Sequence, residues 1–244
     1  MKVSIVIAIL DSHEIVYRYV KYLSKLLLPD DIEVIFVDDG SDPPIANYIV
    51  DPWFNFKLLE TYDKRKWTQG LARMKGIDAA KGEYILCTDL DHIISREAFD
   101  FSLDFNGDKA IFRRRFAYLD ENGILIRDRF RLIDWGLNPK AIRDDDLSDG
   151  VHGNTWLLRR DIFYQLGGYS LPRCNSGSHL QGEDRSFNKK YNVAVREGKV
   201  EKQVMGPPIY FFPSGRYHVS GDDNPHGLWH KLEHTKWGQT PENT

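Results

Sequence analysis

Cysteine is nearly absent from this chain: Cys87 and Cys174 are its only two, far apart and without C-x-x-C spacing. That argues against a disulfide scaffold and against a cysteine zinc site, and makes a reducing cytoplasm the expected setting. An excess of one charge is lacking too, since 33 Lys+Arg face 36 Asp+Glu for a formal charge of −3. No global field recruits nucleic acid or an anionic membrane, so any polyanion must be met locally. Long apolar runs are also missing, and none approaches the roughly 20 residues that would span a bilayer. A soluble protein is expected, with peripheral membrane association left open. No internal repeat, low-complexity tract or Pro/Ser-rich linker divides the sequence. What is present suits a core: 244 residues, 41% hydrophobic and 13% aromatic, enough for one large α/β domain or two small ones.

The opening MKVSIVIAIL faintly imitates a signal peptide, but Asp11 follows with no small-residue cleavage site, so a first strand around Val3 to Leu10 is expected. Asp11-Ser-His-Glu14 has the form of a capping box, and Ile15, Tyr19, Leu23 and Leu26 recur at helical spacing. Pro29-Asp30-Asp31 ends that helix, and IEVIFV from Ile32 reads as a strand covered on both faces. A short strand near Phe56 to Leu59, a helix from about Thr68 to Ala80 stopped at Gly82, and a strand from Glu83 to Thr88 follow. Alternation at this spacing predicts right-handed crossovers and a mainly parallel sheet flanked by helices, with ligands beyond the carboxyl ends of its strands. Further on, Ile111 to Tyr118 and the turn Asp120-Glu-Asn-Gly123 predict a smaller antiparallel excursion. The polar stretch to Gly150, with Asp144-Asp145-Asp146, reads as a loop able to cover a substrate. A strand over Asn154 to Leu158, a short helix over Asp161 to Leu166 and a helix over Glu183 to Glu197 complete the described order.

Candidate chemistry gathers at the ends of these strands. In CTDLDH, Asp89 and Asp91 lie one residue apart after a buried strand, and on an extended backbone they point the same way. Converging carboxylates suit Mg²⁺ or Mn²⁺; a helix N-cap pair is the alternative, because Ser95 follows. Asp38-Asp39-Gly40-Ser41 could bind a ribose hydroxyl or a base N–H, or simply make a turn. Glu183 and Asp184 open a helix where capping explains them, and where one could act as a general base. His218 could donate a nitrogen to a metal, although a lone histidine is more often structural. His226, His230 and His234, four residues apart, could hold zinc, with a packed C-terminal helix the favoured reading. Arg113-Arg114-Arg115 could meet phosphate or form a solvated strand edge, and Trp67, Trp156 and Tyr169 could stack on sugars or fill the core.

The ordered segments VSIVIAIL, VDDGS, QGLARMKGIDAAKGEYILCTDLD, GNTWLLRRDIFYQLGGY and GEDRSF together resemble the GT-A glycosyltransferases. The likeness is to the large inverting family 2 type, which includes relatives in bacterial polysaccharide, cellulose and chitin synthesis, and it covers roughly Lys2 to Tyr191. The stretch from GGY to GED also resembles the galactosyltransferase C-terminal module. The resemblance implies a Rossmann-like nucleotide-binding half over 1–95, an acceptor-binding half over 96–220 and a helical tail over 221–244 in a single domain. It implies that Asp38 and Asp39 contact the nucleoside, that Ala8 and Leu10 line the base pocket, and that Arg73 lies near the diphosphate. Asp89 and Asp91 fall on the metal-holding DxD, His218 on a distal metal ligand, Asp184 on the general base and Glu183 on an acceptor contact.

The implied reaction moves one sugar from a nucleotide-sugar, by analogy a UDP-sugar, to a hydroxyl of a glycan or other acceptor with inversion, aided by Mn²⁺ or Mg²⁺. Absence of a Gln-x-x-Arg-Trp sequence and of membrane spans implies single-sugar transfer rather than polymer extrusion. Rivals are a retaining transferase, a nucleotidyltransferase and a silent carbohydrate-binding protein. The second normally carries a Gly-rich basic loop that is missing after Leu10, and a mere binder need not keep Asp39, Asp89, Asp91 and Asp184 together.

Overall fold

The structure is a computed structural model that describes residues 1–65, 68–134, 137, 148–175 and 182–212. The first half runs β1 (Val3–Ile9), α1 (His13–Lys25), β2 (Ile32–Asp38), a 3-10 turn (Ile45–Tyr48), β3 (Phe56–Glu60), α2 (Gln69–Ala79) and β4 (Tyr84–Asp89). Then come β5 (His92–Ile93), α3 (Arg96–Asp104), β6 (Lys109–Phe116), β7 (Tyr118–Leu119), β8 (Leu125–Ile126), α4 (Arg129–Asp134) and β9 (Ser148–Arg159). The order closes with α5 (Arg160–Gln165), α6 (Leu171–Cys174), α7 (Glu183–Arg196), β10 (Val204–Met205) and β11 (Ile209–Phe211).

One nine-stranded sheet has the order β3-β2-β1-β4-β9-β6-β11-β5, with β10 also on β6. Strands β3, β2, β1 and β4 are parallel neighbours, and β6, β10 and β11 form a second parallel group. The antiparallel β9 stitches the two groups together between β4 and β6, and β5 lies antiparallel to β11. The unbroken apolar strands follow from burial on both faces. In β1, Val3, Ile5, Ile7 and Ile9 enter the cluster that includes α1 and α3 residues, whereas Val6 and Ala8 enter the one with α2, α5 and α7 residues. In β2, the buried Glu33 accepts hydrogen bonds from Ser4 Oγ at 2.5 Å and Lys81 N at 2.6 Å. Its burial is thereby compensated.

Gly76 lets α2 lie directly on the sheet: a Cβ there would collide with Val6 Cγ1 and lie 3.0 Å from Val37 Cγ2. The crossover brings the start of α2 towards the same edge as the ends of β1, β2 and β4.

Several expectations change. The capping box does not form, because α1 is preceded by Ser12 without a side-chain cap, and the Asp11 carboxylate instead accepts from Asp42 N at 2.8 Å. Asp11 sits at φ 50°, which aims it across the loop rather than along the helix. The arginine run is not a solvated edge: β6 is an interior strand, and Arg114 is buried with its guanidinium 4.3 Å from the Phe211 ring centroid. The antiparallel excursion is the small β7–β8 pair. Trp156 and Tyr169 are core residues packed with Phe163 and Phe187, so neither forms a sugar platform. Trp67, Asp144 to Asp146, His218, His226, His230, His234 and the tail over 221–244 lie outside the described residues. Among the described residues no helix is long and apolar enough to cross a membrane.

Candidate active site

Three elements meet at one guanidinium. Arg73 projects from α2 and is completely buried; its Nη1 donates to Asp184 Oδ2 at 2.7 Å and Glu183 Oε1 at 3.2 Å, and its Nη2 pairs with Asp89 Oδ1. The carboxylates come from the end of β4 and the first turn of α7, so residues far apart in sequence share one charge. Gly70 makes room for this approach, since a Cβ there would lie 2.7 Å from Cys174 Sγ and 3.2 Å from Glu183 Cγ. The Arg73 Nε has no hydrogen-bond partner. Its terminal nitrogens face carboxylates rather than open solvent.

Asp89 accepts further bonds from Gln69 Nε2 and Asn154 Nδ2, both at 3.2 Å. Burial alone would raise its carboxyl, but Arg73, with His92 and His152 beside it, holds it well below the ordinary carboxylate range. Glu183 is shifted the other way, raised by burial and then by Asp184. Tyr169 donates its phenol to Asp184 Oδ1 at 2.7 Å, and burial followed by the Asp184 charge pushes that phenol well above its usual value. Asp184 is thus aimed from both oxygens, by a cation on one and a hydroxyl on the other.

A carboxylate and two imidazoles adjoin this cluster. Among the described residues, Asp89, His92 and His152 can present one ligand atom each within 4.8 Å of one another. His152 Nδ1 lies 3.8 Å from Asp89 Oδ2. His92 is neutral, its pKa lowered to about 3 chiefly by burial. Arg114 Nη1 lies 3.2 Å from its Nε2, which assigns Nε2 as acceptor and leaves Nδ1–H to donate to Thr155 Oγ1 at 2.6 Å. Asp89 and His152 offer an oxygen and a nitrogen suited to a divalent ion, and His92 can join them only where a ring nitrogen gives up its contact with Arg114 or Thr155.

Asp91 lies in the turn after β4, not on extended backbone, so the geometric reason for expecting it to point with Asp89 does not hold there. Its backbone carbonyl accepts from Phe212 N at 3.0 Å. The cap of α3 is Ser95 itself, whose Oγ accepts from Ala98 N. At the neighbouring strand end, Asp38 accepts from Ser41 N at 2.8 Å and Ile45 N at 2.9 Å, while Asp39 accepts from Thr61 Oγ1 at 2.8 Å and Thr68 Oγ1 at 2.7 Å. Ala8 pairs in register with both Val37 and Asp89, and Leu10 follows at the same edge. His92, His152, Asn154 and Gln69 were missed from sequence. Only His92 carried a local signal, as the residue closing CTDLDH.

A family model described as glycosyl transferase family 2 matches residues 4–167. Among solved structures, S. aureus TarS 1-349 aligns at 17% identity with a TM-score of 0.57, over 87% of this chain and 61% of that one. The same protein in complex with UDP aligns at 18% identity and TM-score 0.56, over 88% and 61% of the two chains. Glucosyl-3-phosphoglycerate synthase from Mycobacterium tuberculosis, in complex with Mn²⁺, UDP-glucose and phosphoglyceric acid, aligns at 14% identity and TM-score 0.50, over 86% and 71%. Such identities speak for a common fold. This chain spans about three fifths of TarS 1-349, and 37% of a longer TarS structure. No curated protein sequence matches it.

Proposed function

The chain belongs to glycosyl transferase family 2, and from that premise we propose that it moves a single sugar from a nucleotide-sugar, a UDP-sugar by analogy with its structural neighbours, to an acceptor hydroxyl with inversion. The observation that carries the reading is the junction of Asp89, Glu183 and Asp184 on Arg73 beside His92 and His152, at the carboxyl edge of the parallel strands. Residues 1–95 serve as the nucleotide-binding half and 96–220 as the acceptor-binding half. Asp38 and Asp39, with Ala8 and Leu10, face the nucleoside at the carboxyl edge of β1 and β2.

Asp184 takes the acceptor proton as the hydroxyl attacks the anomeric carbon from the face opposite the leaving diphosphate. Arg73 and Tyr169 keep its carboxylate oriented, and Glu183 helps position the acceptor. Asp89 and His152 would hold the divalent ion, with His92 joining if it exchanges its Arg114 contact for the metal, and with Asp91 and His218 as further ligands suggested by the family resemblance. A bound ion would offset the negative charge that develops on the departing nucleoside diphosphate.

The test is a thermal-shift panel of nucleoside diphosphates and nucleotide-sugars with and without Mn²⁺, followed by donor hydrolysis and acceptor screening. A Mn²⁺-dependent shift with one nucleotide, lost in Asp89→Ala, supports the assignment. No shift with any nucleotide from demonstrably folded protein refutes it.

A further inference from the structure

The local basic surface that the balanced composition requires of a polyanion-binding protein lies along α7. After its two buried acids, that helix carries Arg185, Lys189, Lys190 and Arg196 and no further acidic residue, within a chain of formal charge −3. Arg185, Lys189, Asn192 and Arg196 follow one another at steps of four, three and four residues, so they share one face of the helix. Arg185, Lys189 and Arg196 are exposed. Beside this face lies a groove of about 570 Å³, lined by Lys189, Asn192, Val193, Arg196, Lys202 and Gln203. Among the described residues no carboxylate lines it, and the neighbouring Glu197 is paired with Lys199 at 2.7 Å.

We propose that this groove docks an extended polyanion, a chain bearing repeated phosphate or carboxylate groups, and that this chain is the sugar acceptor. The part about the acceptor rests on the transferase reading. Geometry links the two sites: the basic stripe starts at Arg185, next to Asp184, and runs about 16 Å to Arg196 at the helical rise. A chain lying along it can present one hydroxyl at Asp184 while several anionic groups farther along are held. That division lets remote contacts contribute to binding at the reacting end. A concave site between a helix and the following segment suits a flexible chain better than a flat bilayer. Among the described residues none that lines it is aromatic, which disfavours single-stranded nucleic acid, whose bases need stacking platforms.

The experiment measures binding of fluorescently labelled inorganic polyphosphate and labelled polygalacturonate, with dextran as neutral control. Wild type is compared with the triple variant Lys189→Gln/Arg196→Gln/Lys202→Gln over a salt series. The expected result is salt-sensitive binding of at least one anionic polymer, about tenfold weaker in the variant, with dextran ignored by both. The probe that binds separates phosphate from carboxylate chemistry. Donor hydrolysis at the wild-type rate in the variant keeps the loss outside the catalytic site. Affinities within about twofold of each other would overturn the proposal. So would preferential binding of oligouridylate or of phosphatidylglycerol vesicles through the same three residues. If polymer binding depends on these residues but neither protein acts on any nucleotide-sugar, the transferase reading fails and the acceptor role with it, while the docking groove stands.

Discussion

Replacing Arg73 by methionine tests whether the three carboxylates are a designed cluster or three separate caps. Arg73 is fully buried, and its partners Asp89, Glu183 and Asp184 have side-chain exposures of only 17%, 9% and 11%. Methionine fills similar volume but leaves those carboxylates without their cation. Removing one partner of a buried ion pair costs about 3–5 kcal/mol, a large share of a total stability of about 5–15 kcal/mol. For a chain of this size that corresponds to a fall in Tm of about 6–20 °C. Arg73→Lys keeps the charge but not the two-sided fork, so an intermediate loss is expected. The deficit also has a sign in pH. Without the guanidinium the carboxyls of Asp89 and Glu183, both of which Arg73 pulls down, titrate higher, the folded variant takes up protons on acidification, and its deficit shrinks between about pH 8 and about pH 5. Urea unfolding of both proteins in EDTA, which prevents a metal ion from replacing the lost charge, measures this directly. A deficit below about 1 kcal/mol at the higher pH, or an equal deficit at both, would refute the view of Arg73 as the common counter-ion.

Asp184→Asn is expected to leave donor affinity intact and to lower transfer by about 10²–10⁴-fold, read from single-turnover assays; ordinary turnover would remove Asp184 from the role of base. His152→Ala should weaken Mn²⁺ by about tenfold or more, seen as loss of Mn²⁺-dependent thermal stabilisation, and an unchanged titration would exclude it as a ligand. Glu183 is held above the ordinary carboxylate range by burial and Asp184, so the folded state keeps a proton that the unfolded chain has released. Its contribution to stability therefore falls as pH rises through the raised pKa, and Glu183→Gln should flatten the urea midpoint between about pH 4 and about pH 8. Gly76→Ala should cost about 1–3 kcal/mol, because the new methyl meets Val6 and Val37 in the α2–sheet contact; a neutral effect in chemical denaturation would mean that α2 can lift off the sheet freely.

The strands β2 and β4 were legible in sequence because burial on both faces demands continuous apolar residues such as IEVIFV and YIL. The helix α1 was legible from its periodicity and from Pro29-Asp30-Asp31 after it, and α2 and α7 from the glycines that follow them, Gly82 and Gly198. The capping box failed for a different reason. Asp11 has a competing partner in the Asp42 amide, brought to it by a loop thirty-one residues on, and nothing local records that competition. The arginine run faces both ways, with Arg113 exposed and Arg114 buried, and the expectation of an edge failed because a strand pattern cannot reveal whether its neighbours lie on one side or both. Insertion of β9 between β4 and β6 put Arg114 inside, against Phe211 and His92.

The order of motifs by itself determined the fold class and the edge at which chemistry belongs, since alternating strands and helices leave only one edge where loops converge. It also nominated Asp89 and Asp184 separately. Their union on Arg73, the approach of His152 to Asp89 and the basic face of α7 beside its groove were decided only by the tertiary structure. The physical reason is range: hydrogen bonds, burial and periodicity act over a few residues, whereas a shared charge joins whichever side chains the crossovers bring within about 3–4 Å. Here residues 73, 89, 152 and 184 meet in that way.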